Sequence, residues 1–355
     1  MNPIESIIDA IFQGQRVNKD DAEILYHNAP LLTLANLADQ IRHNKHPEPI
    51  VTFVVDRNIN YTNVCISRCK FCAFCRSVDH PDAYVLSDSE LDQKIQETID
   101  LGGTQLLLQG GLHPDLPFSY YIELLEHIKN NFDIHIHGFS PPEIDHFSRI
   151  SGLSHKDTIK KLKQAGLNSI PGGGAEILVD DVRCHISANK CDSDTWLSIM
   201  KIAHEEGLPT SATMMFGHIE TPEQMITHIF RIRELQDQTQ GFTAFIPWTF
   251  QPQHTHIHVR KVSAWQYLRV LALSRIILDN VPNIQASWVT QGDKIGQLAL
   301  TFGANDLGST MIEENVVASA GVHFRLSKQD MIRLIQTAGY QPAQRNCTYN
   351  IINLF

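Results

Sequence analysis

Short apolar, β-branched runs alternate along this chain with longer stretches in which apolar residues return every three or four positions. The β-rich runs are VTFVV (51–55), TQLLLQ (104–109), DIHIHG (133–138), LNSIPG (167–172), PTSATMMF (209–216), TAFIPW (243–248), IQASWV (284–289) and LALTFG (298–303). Between them lie amphipathic stretches such as SDSELDQKIQETIDLG (87–102) and HKDTIKKLKQAG (155–166), which open near Ser, Asp or Thr and stop at Gly, as helix caps require. Eight β units alternating with helices predict a parallel α/β fold, and the count favours a closed (β/α)8 TIM-type barrel over an open doubly wound sheet. Residues 3–46 read as helical, with Leu31, Leu32, Leu34, Leu37 and Ile41 at helix-compatible spacing and Pro-Glu-Pro at 47–49 ending them. The expected organisation is an N-terminal helical extension over 1–50, a barrel over 51–326, and a C-terminal helix and tail over 327–355 packed on the barrel. No linker divides it.

Charge narrows the partners. A formal net charge of -10 disfavours nucleic acid, because neutralising phosphates takes a surplus of Lys and Arg. The start MNPIESIIDAIFQGQ lacks a basic segment followed by an apolar one, and no run approaches the roughly 20 apolar residues that span a bilayer. The expected location is the cytoplasm, with no membrane partner. Seven cysteines stand at 65, 69, 72, 75, 184, 191 and 347, an odd number with four crowded together, which suits a metal site or reduced thiols better than disulfides.

Cys65, Cys69 and Cys72 follow the first strand, which places three thiolates in one loop at the barrel's C-terminal face. A four-iron cubane needs four ligands, so three cysteines leave one iron open to another donor. Cys75 admits two readings: a loop thiol, or a fourth ligand that would close the cluster or a zinc site. Its closed form corresponds to an electron carrier or a zinc-binding protein rather than an enzyme.

The segment NYTNVCISRCKFCAF (60–74) resembles the radical S-adenosylmethionine (SAM) superfamily, in the futalosine-pathway and deazaflavin branch whose loop reads Cys-x3-Cys-x2-Cys. DRNINYTNVC (56–65), LLLQGGLHPD (106–115), PGGGAEIL (171–178), SWVTQG (287–292) and GANDLGSTMIEENVVASAG (303–321) are similar to the cyclic dehypoxanthinyl futalosine synthases of menaquinone biosynthesis. Cys75 departs from that pattern, which carries an aromatic residue there. The resemblance implies a [4Fe-4S] cluster on Cys65, Cys69 and Cys72, SAM as second cofactor, dehypoxanthine futalosine as small-molecule substrate, and a transient one-electron donor such as flavodoxin or ferredoxin. The implied reaction removes the ribose C4' hydrogen with a 5'-deoxyadenosyl radical and cyclises the carbon radical onto the benzoate ring. Aminofutalosine synthase and a deazaflavin-type synthase are the alternative activities within the branch.

The remaining candidates follow the strand ends. Gln109, Gly110 and Gly111 offer close backbone approach beside the cluster, or else a plain strand-ending turn. Glu176, after Pro171-Gly-Gly-Gly174, is suited to ribose hydroxyls, or is a solvated acid at a loop end. The resemblance makes Gln109, Gly110, Gly111, Glu176, Phe71 and Ile219 SAM contacts. Ser287, Trp288, Thr290, Gln291, Asn305, Ser309 and Thr310 are candidate substrate contacts, and Asp306, Glu313 and Glu314 are candidate proton acceptors. The run His254-Thr-His256-Ile-His258 reads as a solvated loop.

Overall fold

Alternating strands and helices close into a cylinder in the computed structural model, which describes residues 3–355. Around the ring stand β1 (Ile50–Val54) with its continuation β2 (Asp56–Ile59), then β3 (Gln105–Leu108) and β4 (His135–Gly138). Next come Ser169 and Ile170, joined to their neighbours only by single bridges, then β5 (Thr210–Phe216), β6 (Phe242–Thr249), β7 (Asn283–Ile284) and β8 (Asp306–Ser309). Every pairing between ring neighbours is parallel. The bridges His137–Ser169, Ile170–Thr210 and Gln285–Asp306 complete the circuit, so the fold is the expected eight-fold barrel.

Three of the expected strands change. Residues 167–172 shrink to the two bridges, and 284–289 keep a two-residue strand before the helix Trp288–Gln291 begins. Residues 298–303 are not a strand: they finish the helix Asp293–Leu298 and form the 3-10 turn Ala299–Thr301. There Leu298 is exposed while Ala299, Leu300 and Phe302 are buried, a spacing that a helical turn satisfies and a strand does not. The eighth place belongs to Asp306–Ser309. Its side chains bond to Arg345 and Asp56 inside the barrel, so the strand carries no apolar alternation to betray it.

The apolar core lies between strands and helices. Ile59, Leu106, Leu108, Ile136, Ile159, Leu162, Trp196 and Phe245 are fully or nearly fully buried there, each contributing on the order of 1.5–3 kcal/mol by burial. The helices begin on side-chain caps, including reciprocal boxes at Ser87 with Glu90, Ser140 with Glu143, Thr221 with Gln224 and Ser327 with Asp330. The N-terminal segment forms the helices Pro3–Phe12, Lys19–Asn28 and Leu31–Lys45, the last packed on the barrel helix Ala264–Ile277. After the helix Lys328–Thr337, the tail adds β9 (Gln341–Arg345) parallel to β1, and β10 (Ile351–Leu354) antiparallel to β9. The turn between them reaches the lumen.

Candidate active site

The cysteine loop leaves β2 at the C-terminal rim and is pinned by backbone bonds from several directions. Cys65 N–H donates to Arg76 O (3.0 Å), Ile66 N–H to Leu112 O (3.0 Å), Lys70 N–H to Ile186 O (2.8 Å), and His256 N–H to Lys70 O (2.8 Å). The last of these gives the His254–His258 run a structural task, holding the rim. Gly110 and Gly111 fit against this loop because they lack side chains. A Cβ on Gly111 would stand 2.1 Å from Val64 O, and one on Gly110 would stand 2.4 Å from the Tyr61 ring. The Gly110 N–H is already committed, donating to Glu143 Oε1 (3.0 Å), which also accepts from the Tyr61 hydroxyl (2.7 Å). Burial raises the Glu143 carboxyl above its usual range. Sequence reasoning passed over Glu143, although Ser140-x-x-Glu143 carries the capping-box signature.

The thiols differ in environment. The Cys75 thiol donates to Cys65 O (3.2 Å) and hydrogen-bonds the Cys65 sulfur, holding the Cys65 thiol down at about 6. Burial pushes the Cys69 thiol up to about 11 and raises that of Cys72. Cys75 is therefore turned back onto the loop. Lys190, not singled out from sequence, stands between the loop and Glu176: its Nζ lies 3.0 Å from Glu176 Oε1 and 5.1 Å from the centre of the Phe71 ring. Burial lowers the Lys190 ammonium, but the Cys69 and Glu176 charges outweigh it and hold the group above its ordinary value.

Glu176 sits at φ 41 on the loop after Ile170 and pairs with Arg183 at 3.6 Å as well as with Lys190. Its Oε2 is buried without a hydrogen-bond partner among the described residues, and the residue lines the lumen. A buried carboxylate oxygen left without a donor is costly, and a bound hydroxyl or ammonium would relieve it. Three thiols on one rim loop, with an acceptor that lacks a hydrogen-bond donor and a glycine turn beside them, fit a cubane and SAM. Among the described residues no three His, Cys, Asp or Glu side chains converge tightly enough for a single ion, and a cubane in any case holds its thiolates farther apart than one ion does. Ile219, half exposed after β5, lies outside the cavity lining.

From this rim a cavity of about 280 Å³ runs down the lumen. Gln109, Gly173, Gly174 and Glu176 border one part, and Ser287, Trp288, Thr290, Ser309 and Glu314 also line it. Ser287 Oγ and Thr290 Oγ1 lie 2.8 Å apart, and the Trp288 indole N–H donates to Ser309 O (3.0 Å). Gln291, Asn305, Thr310, Asp306 and Glu313 are not among the lining residues. Gln291 donates to Thr249 Oγ1 (2.7 Å), and Asn305 accepts from Arg275 (2.6 Å). Thr310 is buried, its N–H bonded to Val54 O (3.0 Å). Asp306 is fully buried and paired with Arg345 at 2.5 and 3.0 Å, while Glu313 is held by Lys94 at 2.7 Å. Glu314 faces the cavity, but Oε1 accepts the Val316 and Val317 N–H groups and Oε2 accepts Asn58 Nδ2.

Unforeseen lining residues come from inward positions of the strands and from the tail: Asp56, Asn58, Gln105, His137, Ser211, Thr213, Arg345, Cys347 and Tyr349. The period-2 alternation of β2 and β4 would have found Asp56 and Asn58, and His137. Nothing in the sequence places Cys347 and Tyr349, since they enter from the base. Among the described residues no helix is long and apolar enough to cross a membrane.

Residues 59–232 match the family described as the radical SAM superfamily, and residues 239–355 match the CofH/MqnC C-terminal region. The chain is 45% identical over 354 residues to the cyclic dehypoxanthine futalosine synthase of Halalkalibacterium halodurans, covering 99% of this chain and 96% of that one. It is 44% identical over 314 residues to the 5-amino-6-(D-ribitylamino)uracil–L-tyrosine 4-hydroxyphenyl transferase of Methanopyrus kandleri, covering 86% and 85%. In solved structures the fold recurs in the FeFe-hydrogenase maturase HydG of Carboxydothermus hydrogenoformans, with a TM-score of 0.76 at 17% identity over 98% of this chain and 80% of that one. The three-cysteine rim loop, the parallel barrel and these matches together make the chain a member of the radical SAM superfamily, in its CofH/MqnC branch.

Proposed function

We propose that this enzyme converts dehypoxanthine futalosine to its cyclic form for menaquinone biosynthesis, in the cytoplasm, with a small one-electron carrier such as flavodoxin or ferredoxin as transient partner. The observation that carries the reading is 45% identity, end to end, with a cyclic dehypoxanthine futalosine synthase. When bound, the cluster and SAM supply a 5'-deoxyadenosyl radical that takes the ribose C4' hydrogen. Cys65, Cys69 and Cys72 would hold the cluster, whose remaining coordination capacity would serve SAM, and Cys75 stays a loop thiol. Gln109 and the Gly110–Gly111 turn border the SAM site. Glu176 Oε2, ion-paired with Arg183 but without a hydrogen-bond donor, accepts from SAM, and Phe71 and Ile219 give apolar support at its edge. Ser287, Trp288, Thr290 and Ser309 face the substrate. The lumen's work is geometric: it holds C4' between the radical and the arene and keeps water out, since a radical left in place only a little longer would take a hydrogen from elsewhere.

A second reading, aryl transfer to a ribitylaminouracil, is favoured by the 44% identity to the Methanopyrus kandleri enzyme. An anaerobic assay with reductant and SAM separates them. Equimolar 5'-deoxyadenosine and cyclic product from dehypoxanthine futalosine are expected. Turnover only with tyrosine and the uracil would favour the second reading, and adenosyl carbon retained in the product would indicate an aminofutalosine synthase.

A further inference from the structure

Closing the ring leaves a proton to remove, and the carboxylates near the lumen are held by neighbours: Glu176, at the rim, is ion-paired with Lys190 and Arg183. Asp56 accepts from Ser309 and Gln105, Glu314 accepts from Asn58 and the Val316 and Val317 N–H groups, and Asp306 and Glu313 are ion-paired away from the lining. The lining also holds an imidazole. Alternation along β4 turns His135 and His137 to one face, where both meet Ser169 of the next strand position. Ser169 Oγ lies 2.6 Å from His137 Nδ1, 2.7 Å from His135 Nε2 and 3.3 Å from Cys347 Sγ.

Ser169 has one hydroxyl proton, so it donates to one of these three and accepts from the others. Burial pushes the Cys347 thiol up to about 11, keeping its proton in place to donate. The remaining assignment that directs a chain away from the lumen has His137 Nδ1–H donating to Ser169 and Ser169 O–H donating to His135 Nε2. His137 Nε2 then offers its lone pair to the cavity, where its partner is Ser211 Oγ at a long 3.5 Å, itself an acceptor for Gly172 N–H (3.1 Å).

We propose that His137 is the base that takes the arene proton, and that Ser169 and His135 pass it on toward the N-terminal end of the barrel; this rests on the cyclase reading above. The ring carbon that has bonded to C4' still carries its hydrogen. That C–H bond breaks heterolytically, the proton goes to His137 Nε2, and the electron pair stays in the ring as an arene radical anion. The surplus electron would leave to a one-electron oxidant, a role that an oxidised iron–sulfur cluster held by Cys65, Cys69 and Cys72 would supply. As Nε2 gains its proton, the Nδ1 proton moves to Ser169 Oγ and the Ser169 proton moves to His135 Nε2. Burial lowers the His137 ring, with His135 and Arg345 adding to the effect, so the resting ring is neutral and has a nitrogen lone pair to offer.

The test uses the full-length, anaerobically reconstituted enzyme with reductant, SAM and substrate deuterated at C4'. Wild type should move deuterium into 5'-deoxyadenosine and form cyclic product one for one. His137→Gln keeps a bond to Ser169 but takes no proton. It should still transfer deuterium, while cyclic product per 5'-deoxyadenosine falls by about ten-fold or more, as loss of a general base predicts. Ser169→Ala should lower the same ratio severalfold, and it carries the test if His137→Gln fails to load cluster. A merely structural role would lower both products together. An unchanged ratio in folded, cluster-loaded variants overturns the proposal. If wild type itself moves no deuterium from this substrate, the substrate reading has failed instead, and that outcome is visible before any variant is made.

Discussion

The two ends of the barrel are built on different principles. At the C-terminal rim, one short loop carries Cys65, Cys69 and Cys72, and neighbouring loops hold it almost entirely through backbone bonds, with Gly110 and Gly111 admitting close approach. Deeper in the lumen, single polar side chains come from β1, β2, β3, β4, β8 and the tail, and side-chain bonds bind them together. Arg345 from β9 meets Asp306 from β8, Thr52 from β1 donates to the same carboxylate (2.5 Å), and Cys347 meets Ser169. The rim is shaped to receive a cofactor, so its glycines leave space and its Glu176 Oε2, which faces the Arg183 charge without a hydrogen-bond donor, leaves bonding capacity. The interior must exclude water around a reactive carbon, so nearly every polar group there is paired. An error at the rim should therefore cost activity, whereas an error in the interior should first cost stability.

The largest effect tests the rim. Cys69→Ala is expected to abolish cluster incorporation and 5'-deoxyadenosine formation, while Cys75→Ala keeps the cluster, because Cys75 is bonded back to Cys65 O. Iron and sulfide analysis with the spectrum of the reconstituted protein decides it, and the reverse pattern would make Cys75 the ligand. Next comes the interior. Arg345→Leu strands the fully buried Asp306 and should cost roughly 3–5 kcal/mol by urea denaturation, with Asp306→Asn added to it recovering part of the loss. Equal stability of wild type and the single variant would show that the pair does not hold the tail in place.

The smallest effect is graded by pH. Burial pushes His135 and His204 down to about 4, and His137 and His228 down to about 3. The unfolded chain binds protons on these rings below about 6.5 and the folded chain does not, so their stabilisation is complete above that pH and drains as pH falls. Each should cost on the order of 1 kcal/mol one pH unit lower. Denaturation midpoints between pH 8 and 5 should show the decline, and His135→Asn should lessen it by one ring's share. A midpoint flat across that range would mean these rings protonate in place.

Much of this protein was legible in order along the chain. The alternation of strand and helix, the caps, the cysteine loop and the glycine turn are contiguous signals, because the physics behind them acts over a few residues. The eighth strand was misplaced for a reason that recurs throughout the lumen: Asp306–Ser309 faces polar partners, so hydrophobic periodicity passes over it and lands on the apolar turn at 298–303. Gln105 and His137 stood in strands the hydrophobic pattern did find, but as polar residues at inward positions they were passed over, as was Asp56.

By itself, then, the sequence determined the barrel, its helical wrapping and the three thiols at its mouth, since each follows from spacing within a short segment. Only tertiary structure decided which polar residues share the lumen, that Asp306 and Glu313 are engaged elsewhere, and that the tail returns beside β1 to bring Arg345, Cys347 and Tyr349 inside. Ring closure sets those meetings, across 254 residues between Thr52 and Asp306 and 256 between Asn58 and Glu314, and no local pattern in the chain encodes a partner so far away.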